Sequence, residues 1–268
     1  MQMRWVVMVA LIVLASARLA AHDFWLAATP WDPGAQVTIS ANLGEIFPVA
    51  TDRVVAEGVE RWRVLGPGGE VQLDAALRND GRVLTADVQL PAPGAYLATM
   101  TIRPHLTQMQ GPSFNSYLVE EGLDWVVAAR REAGVSERPA TERFTRYAKV
   151  AVRNGFGSGA HLTRAVGLRA EFVPMTDPTI VRPGQLLTFQ LLADNRPVAG
   201  AVVTGRSSQG GHPVMGRTDE TGHVTLPIDR PGAWLVRTVH MRTGAQARVT
   251  DVEWDSYWAT FAFHTAND

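Results

Sequence analysis

Short runs in which apolar and polar residues alternate, each closed by glycine and proline, constrain this chain more than any other feature. Val37-Thr38-Ile39-Ser40-Ala41-Asn42-Leu43 and Leu84-Thr85-Ala86-Asp87-Val88-Gln89-Leu90 alternate in this way. A period of two puts the apolar residues on one face of a half-buried strand. Gly66-Pro67-Gly68-Gly69, Asn79-Asp80-Gly81 and Pro91-Ala92-Pro93-Gly94 cut the runs to strand length with turn chemistry. Residues 22–113 are therefore expected to form a β-sandwich of immunoglobulin-like type.

The pattern changes over residues 114–160. Leu118, Val119, Trp125, Val126 and Ala129 recur at helical spacing, and Gly134 stands where a helix would stop. Phe144, Tyr147, Ala148 and Ala151 repeat that spacing after Pro139, which predicts a second helix over 137–152. A helical linker at 114–160, ending in the glycine-rich stretch 154–159, is the expected join between two sandwiches. From residue 161 the β grammar returns: Leu187, Phe189 and Leu191 alternate, and Arg230-Pro231-Gly232 precedes the run Trp234 to His240. Arg196-Pro197-Val198-Ala199-Gly200-Ala201-Val202, followed by Thr218-Asp219-Glu220-Thr221-Gly222, is the pattern of a prealbumin-like or carboxypeptidase-regulatory-like sandwich over 161–268. The expected fold is mainly β, two sandwiches joined by a short helical segment.

Composition narrows the function. The formal charge of −1 gives no basic footprint for nucleic acid or an anionic membrane. Cysteine is absent, so a metal here must be held by nitrogen, oxygen or thioether. Residues 1–21 read as a secretory signal: Arg4 precedes an apolar run from Trp5 to Ala15, too short to span a bilayer. Cleavage after Ala17 or Ala21 would leave a periplasmic protein without a membrane anchor. The chain lacks G-x-S-x-G, P-loop, dinucleotide and H-E-x-x-H motifs. Ser158 among glycines and the acid pair Glu120-Glu121 are better read as loop and solvated surface. A non-enzymatic role is expected.

Histidine is the remaining chemistry. Cleavage after Ala21 would make His22 the first residue, and its α-amine and imidazole Nδ1 could then chelate one ion. A second histidine completes the three-nitrogen brace that suits Cu(II) and Ni(II). His240 is the best partner, at the end of a strand whose parity it shares with Trp234, Val236 and Thr238. His212, His223 and His161 read as exposed, His264 as part of the tail, and His105 as either packing or function.

His22-Asp23-Phe24-Trp25-Leu26, Gly44-Glu45-Ile46-Phe47-Pro48 and Tyr117-Leu118-Val119-Glu120-Glu121-Gly122-Leu123 carry a family resemblance. So do Glu142 to Lys149, Glu171 to Pro178, Arg230 to Met241 and Trp254 to Ala259. Together they make the chain similar to a periplasmic family of unknown function labelled as a nickel/cobalt-uptake component (NikM- or NikK-like). The resemblance implies handling of Ni2+, Co2+ or Cu2+ for a membrane transporter component. It strengthens His22 and His240 as ligands and brings in Glu45 as a carboxylate. Two other readings stay open. One is an adhesion or scaffolding module using Trp25, Trp31 and Trp62, and the other is a brace-type copper oxidase.

Overall fold

The computed structural model describes residues 22–32, 34–71, 77–249 and 251–266, so the signal expected at 1–21 lies outside the described residues. Among the described residues, sixteen strands and three short α-helices follow one another. The first part holds β1 (Asp23–Thr29), β2 (Gln36–Gly44), β3 (Val59–Gly66), β4 (Gly69–Glu70), β5 (Arg78–Asp80), β6 (Val83–Gln89) and β7 (Gly94–Met109). Then come α1 (Gly111–Glu120), α2 (Asp124–Glu132), β8 (Ala140–Asn154) and β9 (Ala170–Pro174). The last part holds β10 (Gln185–Ala193), β11 (Arg196–Pro197), β12 (Val202–Ser207), β13 (Val214–Arg217), β14 (His223–Ile228), β15 (Ala233–Thr243), α3 (Gly244–Ala247) and β16 (Trp254–His264).

The fold is mainly β and built of sandwiched sheets. An eight-stranded sheet in the order β13-β12-β15-β16-β8-β7-β3-β4 takes four strands from each half of the chain. Its halves meet where β16 runs parallel to β8, and its other neighbours are antiparallel. Strand alternation gives this sheet two faces. Leu235, Arg237, Val239 and Met241 of β15 look one way; Trp234, Val236 and His240 look the other. The sheet β1-β2-β6-β5 covers the Arg237 face, packing Leu26, Ile39 and Leu84 on Met100, Ala148 and Val150. The sheet β11-β10-β14, extended by β9, covers the opposite face with Phe172, Leu187 and Phe189 against Phe261 and Trp234. Three layers result, with the long sheet in the middle.

Both halves open a long strand with the same device. In Pro93-Gly94-Ala95-Tyr96 the phenol donates to the Ala92 carbonyl at 2.7 Å, and in Pro231-Gly232-Ala233-Trp234 the indole donates to the Arg230 carbonyl at 3.0 Å. Each aromatic thus ties its strand to the corner four residues upstream, as tyrosine corners do in sandwich folds. Gly94 and Gly232 hold the positive φ that the corner needs.

The expected helix over 137–152 is not formed: residues 140–154 are β8, a central strand. Its residues are buried from both sides, so apolar side chains occupy both parities and mimic a helical spacing. The first expected helix is real but lies elsewhere in the plan. α1 and α2 form a hairpin inserted between β7 and β8, adjacent strands of one sheet, rather than a linker between sandwiches. Pro112 starts α1, Phe114, Tyr117 and Leu118 are its buried side, and the hairpin covers Val239, Met241 and Trp258 on the Arg237 face. Each helix ends on a left-handed glycine. Leu123 N donates to Leu118 O around Gly122, and Val135 N to Arg130 O around Gly134. No helix among the described residues is long and apolar enough to cross a membrane.

These two glycines make a controlled pair. A Cβ at Gly134 meets nothing, whereas one at Gly122 would lie 2.4 Å from Val202 Cγ2. Gly134→Ala should cost about 1–2 kcal/mol for the left-handed conformation alone. Gly122→Ala should cost more, because the hairpin must also shift off β12; urea unfolding midpoints at constant slope check the difference.

Candidate functional site at the start of the first strand

Asp23, the first residue of β1, is in register with Gly44, the last of β2, and His22 stands just ahead of it. Beyond Gly44 the chain folds back on itself: Thr51 N and Asp52 N both donate to the Leu43 carbonyl at 3.0 Å. Gly44 permits this return, since a Cβ there would lie 2.4 Å from the Val49 carbonyl oxygen. The fold-back sets one carboxylate on each side of the His22 ring. Nδ1 lies 2.9 Å from Asp52 Oδ2, and Nε2 lies 3.3 Å from Glu45 Oε1. Asp52 Oδ2 also accepts the Thr51 hydroxyl at 2.7 Å. The imidazole is 25% exposed, so the cluster is open to solvent.

The structure therefore brings His22 and Glu45 together and leaves His240 elsewhere. Asp23 is tied to Arg237, whose parity in β15 is opposite to that of His240, so the two histidines belong to opposite faces of the sheet. The paired-histidine brace is not formed. His240 instead lines a cleft of about 800 Å³ with Trp125, Arg217 and Arg242. Burial, and then the Arg242 charge, push its pKa down, so this imidazole is neutral at pH 7. Among the described residues no three or more histidine and carboxylate groups form a ready ion cage, and Glu45 and Asp52 approach different nitrogens.

Behind His22 lies a buried polar cluster, where β1 and the helical hairpin meet on the Arg237 face. Arg237 pairs with Asp23 and donates to both oxygens of Glu121 at 2.8 and 2.6 Å. Burial still pushes both carboxyls above their ordinary range. Burial opposes the Arg237 charge too, but Asp23 and Glu121 more than offset it, and its pKa is raised. Among the described residues Glu142 has no such cation within ion-pair reach. Burial pushes its carboxyl up to about 7, although Ser256 and Tyr117 both hydrogen-bond to it and pull the other way. Arg146 stacks over the Phe144 and Trp258 rings at 4.6 and 5.5 Å and donates to the His22 carbonyl at 3.5 Å. Burial lowers its pKa to about 10, which leaves it charged at neutral pH.

Asp52, Asp23, Glu121, Glu142, Arg146 and Arg237 are the site residues that sequence reasoning missed. All but Asp52 fall inside the segments that carry the family resemblance, and that was the available signal. Trp25, offered for an adhesive surface, is a core residue at 1% exposure, while the Trp31 ring lies tilted against His264, centroids 5.8 Å apart.

The model of the family described as "Domain of unknown function (DUF4198)" matches residues 19–242, and the chain belongs to that family. No curated protein matches it. Among solved structures it is similar to the D0–D1 domain of intimin, at 18% identity over 91% of this chain and 98% of that one, with a TM-score of 0.23. A two-domain fibronectin type III segment of chicken tenascin aligns at 14% identity over the same shares, also with a TM-score of 0.23. Scores this low carry no inference about the chain.

Glu142 gives the cluster a pH signature. Its carboxyl binds a proton more tightly in the folded chain, near 7, than at its ordinary 4.5. Its contribution is therefore most favourable below about 4.5 and declines as pH rises through 7. Glu142→Gln keeps an acceptor for Tyr117 and Ser256 but removes the titration. Between pH 5 and pH 8 the native protein should lose on the order of 2 kcal/mol relative to this variant in urea unfolding. Parallel pH profiles would mean that Glu142 titrates normally.

Proposed function

We propose that this member of the DUF4198 family is a periplasmic transition-metal-binding protein that carries Ni(II), Co(II) or Cu(II) to an uptake system, with His22 as the central ligand. The observation that carries the reading is the solvent-open His22 imidazole held between Asp52 and Glu45 at the head of β1. Processing after Ala21 would add the α-amine on the Nδ1 side, where Asp52 already stands. The 2.9 Å between Nδ1 and Asp52 Oδ2 puts that carboxylate within reach of an ion bound on the Nδ1 side. Glu45 on Nε2 then plays the part of an outer carboxylate, fixing the tautomer and the ring plane. In this assignment Asp52 takes the place of His240, and Glu45 orients the ring rather than binding the ion.

A copper oxidase of the brace type would need a second imidazole beside His22, and none of the other histidines among the described residues hydrogen-bonds or ion-pairs there. The adhesion reading gains no support from Trp25, which is buried.

Native mass spectrometry of periplasm-processed protein, titrated with each ion, tests the proposal. One ion per chain is expected, starting from a mass that begins at His22. His22→Ala should abolish retention, Asp52→Asn should weaken it at least tenfold, and Glu45→Gln should weaken it about 10- to 100-fold. His240→Ala should leave it unchanged. Binding that survives loss of His22 and fails on loss of His240 would reverse the assignment.

A further inference from the structure

Arg146 points to a second site, beside the first and independent of any metal at His22. It carries five N–H donors, yet its hydrogen bonding among the described residues is limited to the 3.5 Å contact with the His22 carbonyl. Its Nε is buried and has no partner. Asp23 and Glu142 are close enough to be felt as charges, but neither comes within ion-pair distance. Buried guanidinium donors left unused call for an explanation.

The guanidinium lines a pocket of about 200 Å³ between β1, the 53–58 segment and β8. Phe24, Leu43, Val54 and Ile102 make apolar walls, and Arg53 and His105 bring the other polar groups. No aspartate or glutamate lines it, and Arg53 has no ion pair among the described residues. Phe144, which stacks on His105 at 5.6 Å, also lies under the Arg146 guanidinium at 4.6 Å. A cavity with two cations, no acid and apolar walls fits an anion with a hydrophobic body. A planar guanidinium matches a carboxylate in particular, through paired N–H donors. The volume lies below the roughly 300 Å³ at which sites for drug-sized ligands begin, which limits the occupant to a compact molecule.

We propose that the pocket under Arg146 binds a small carboxylate with a branched or aromatic apolar tail, its carboxylate on the Arg146 fork with Arg53 at the mouth and its tail against Phe24, Val54 and Ile102. The Trp258 indole, which flanks the same guanidinium, reports on occupancy.

Metal-free protein titrated with benzoate and isovalerate, with benzamide as the neutral control, tests this by calorimetry and by the indole N–H resonance of Trp258. The two acids should bind one per chain and shift that resonance; benzamide should do neither. Arg146→Gln should weaken benzoate binding about tenfold or more, Arg146→Lys less, since an ammonium keeps the charge but not the fork. Arg53→Gln, an exposed substitution that leaves the core untouched, should weaken it severalfold. His22→Ala should retain it, which separates this site from the metal site. Equal binding of benzoate and benzamide, indifference to both arginine substitutions, or no shift at millimolar benzoate would each overturn the proposal.

Discussion

Arg237 is the interaction on which the Arg237 face of the structure depends. It projects from β15, in the second half of the chain, and holds Asp23 at the head of β1 and Glu121 at the end of α1. One guanidinium thus pins the edge sheet and the helical hairpin to the middle layer where they meet. All three charged groups are almost wholly removed from water. Burying them is expensive, and a buried ion pair is weak evidence for net stability. Its effect is selective: removing one member strands the others, at about 3–5 kcal/mol, so alternative placements of β1 or the hairpin are penalised. The raised carboxyls of Asp23 and Glu121 are the sign that desolvation is only partly repaid.

The opposite face has a counterpart. Lys149, the one lysine of the chain, is buried in β8 and reaches Glu171 of β9 at 2.5 Å and the Phe172 carbonyl at 2.9 Å. Glu171 in turn accepts the amides of Val166 and Gly167, which shape the approach to β9. β8 is also the strand that meets β16 in the parallel seam. Lys149 therefore fastens the covering layer at the line where the two halves of the long sheet join. On each face of the middle layer a buried cation, Arg237 or Lys149, holds a carboxylate of the element laid over it.

Much of the fold was legible because its signals are local. Alternation in β2 and β6, the Pro-Gly corners before Tyr96 and Trp234, and the stop at Gly134 depend on neighbours in sequence, and all stand where they were expected. β8 failed for the opposite reason. Its environment is set by two other layers, so both parities are apolar and its period cannot be told from a helix. The continuity of the long sheet was equally hidden, since β8 and β16 are paired by packing rather than by any turn. At the candidate site, His22 and Glu45 were legible from position and resemblance. That His240 lies on the other face from His22 was not legible, because strand parity fixes a face only relative to a neighbour, and the neighbour is Arg237. Asp52 was invisible: nothing near it in sequence shows that the chain doubles back over Leu43.

The exposed site and the buried network are consequently parts of one construction. His22 has no strand partner of its own; its place follows from Asp23, and Asp23 is held by Arg237 from beneath. The fold-back that delivers Asp52 and Glu45 hangs on the Leu43 carbonyl of β2, which is aligned with β1 by the same register. Arg146 closes the arrangement from the side through the His22 carbonyl. A side-chain cluster centred on a single residue ahead of a strand is loosely held unless something ties it down. Here the tie is a desolvated ion pair one residue away, which holds the His22 imidazole in place. The costly burial of Asp23 and Arg237 then makes physical sense as positioning, since an apolar pair of the same volume could pack β1 but could not fix which residue comes first to the surface.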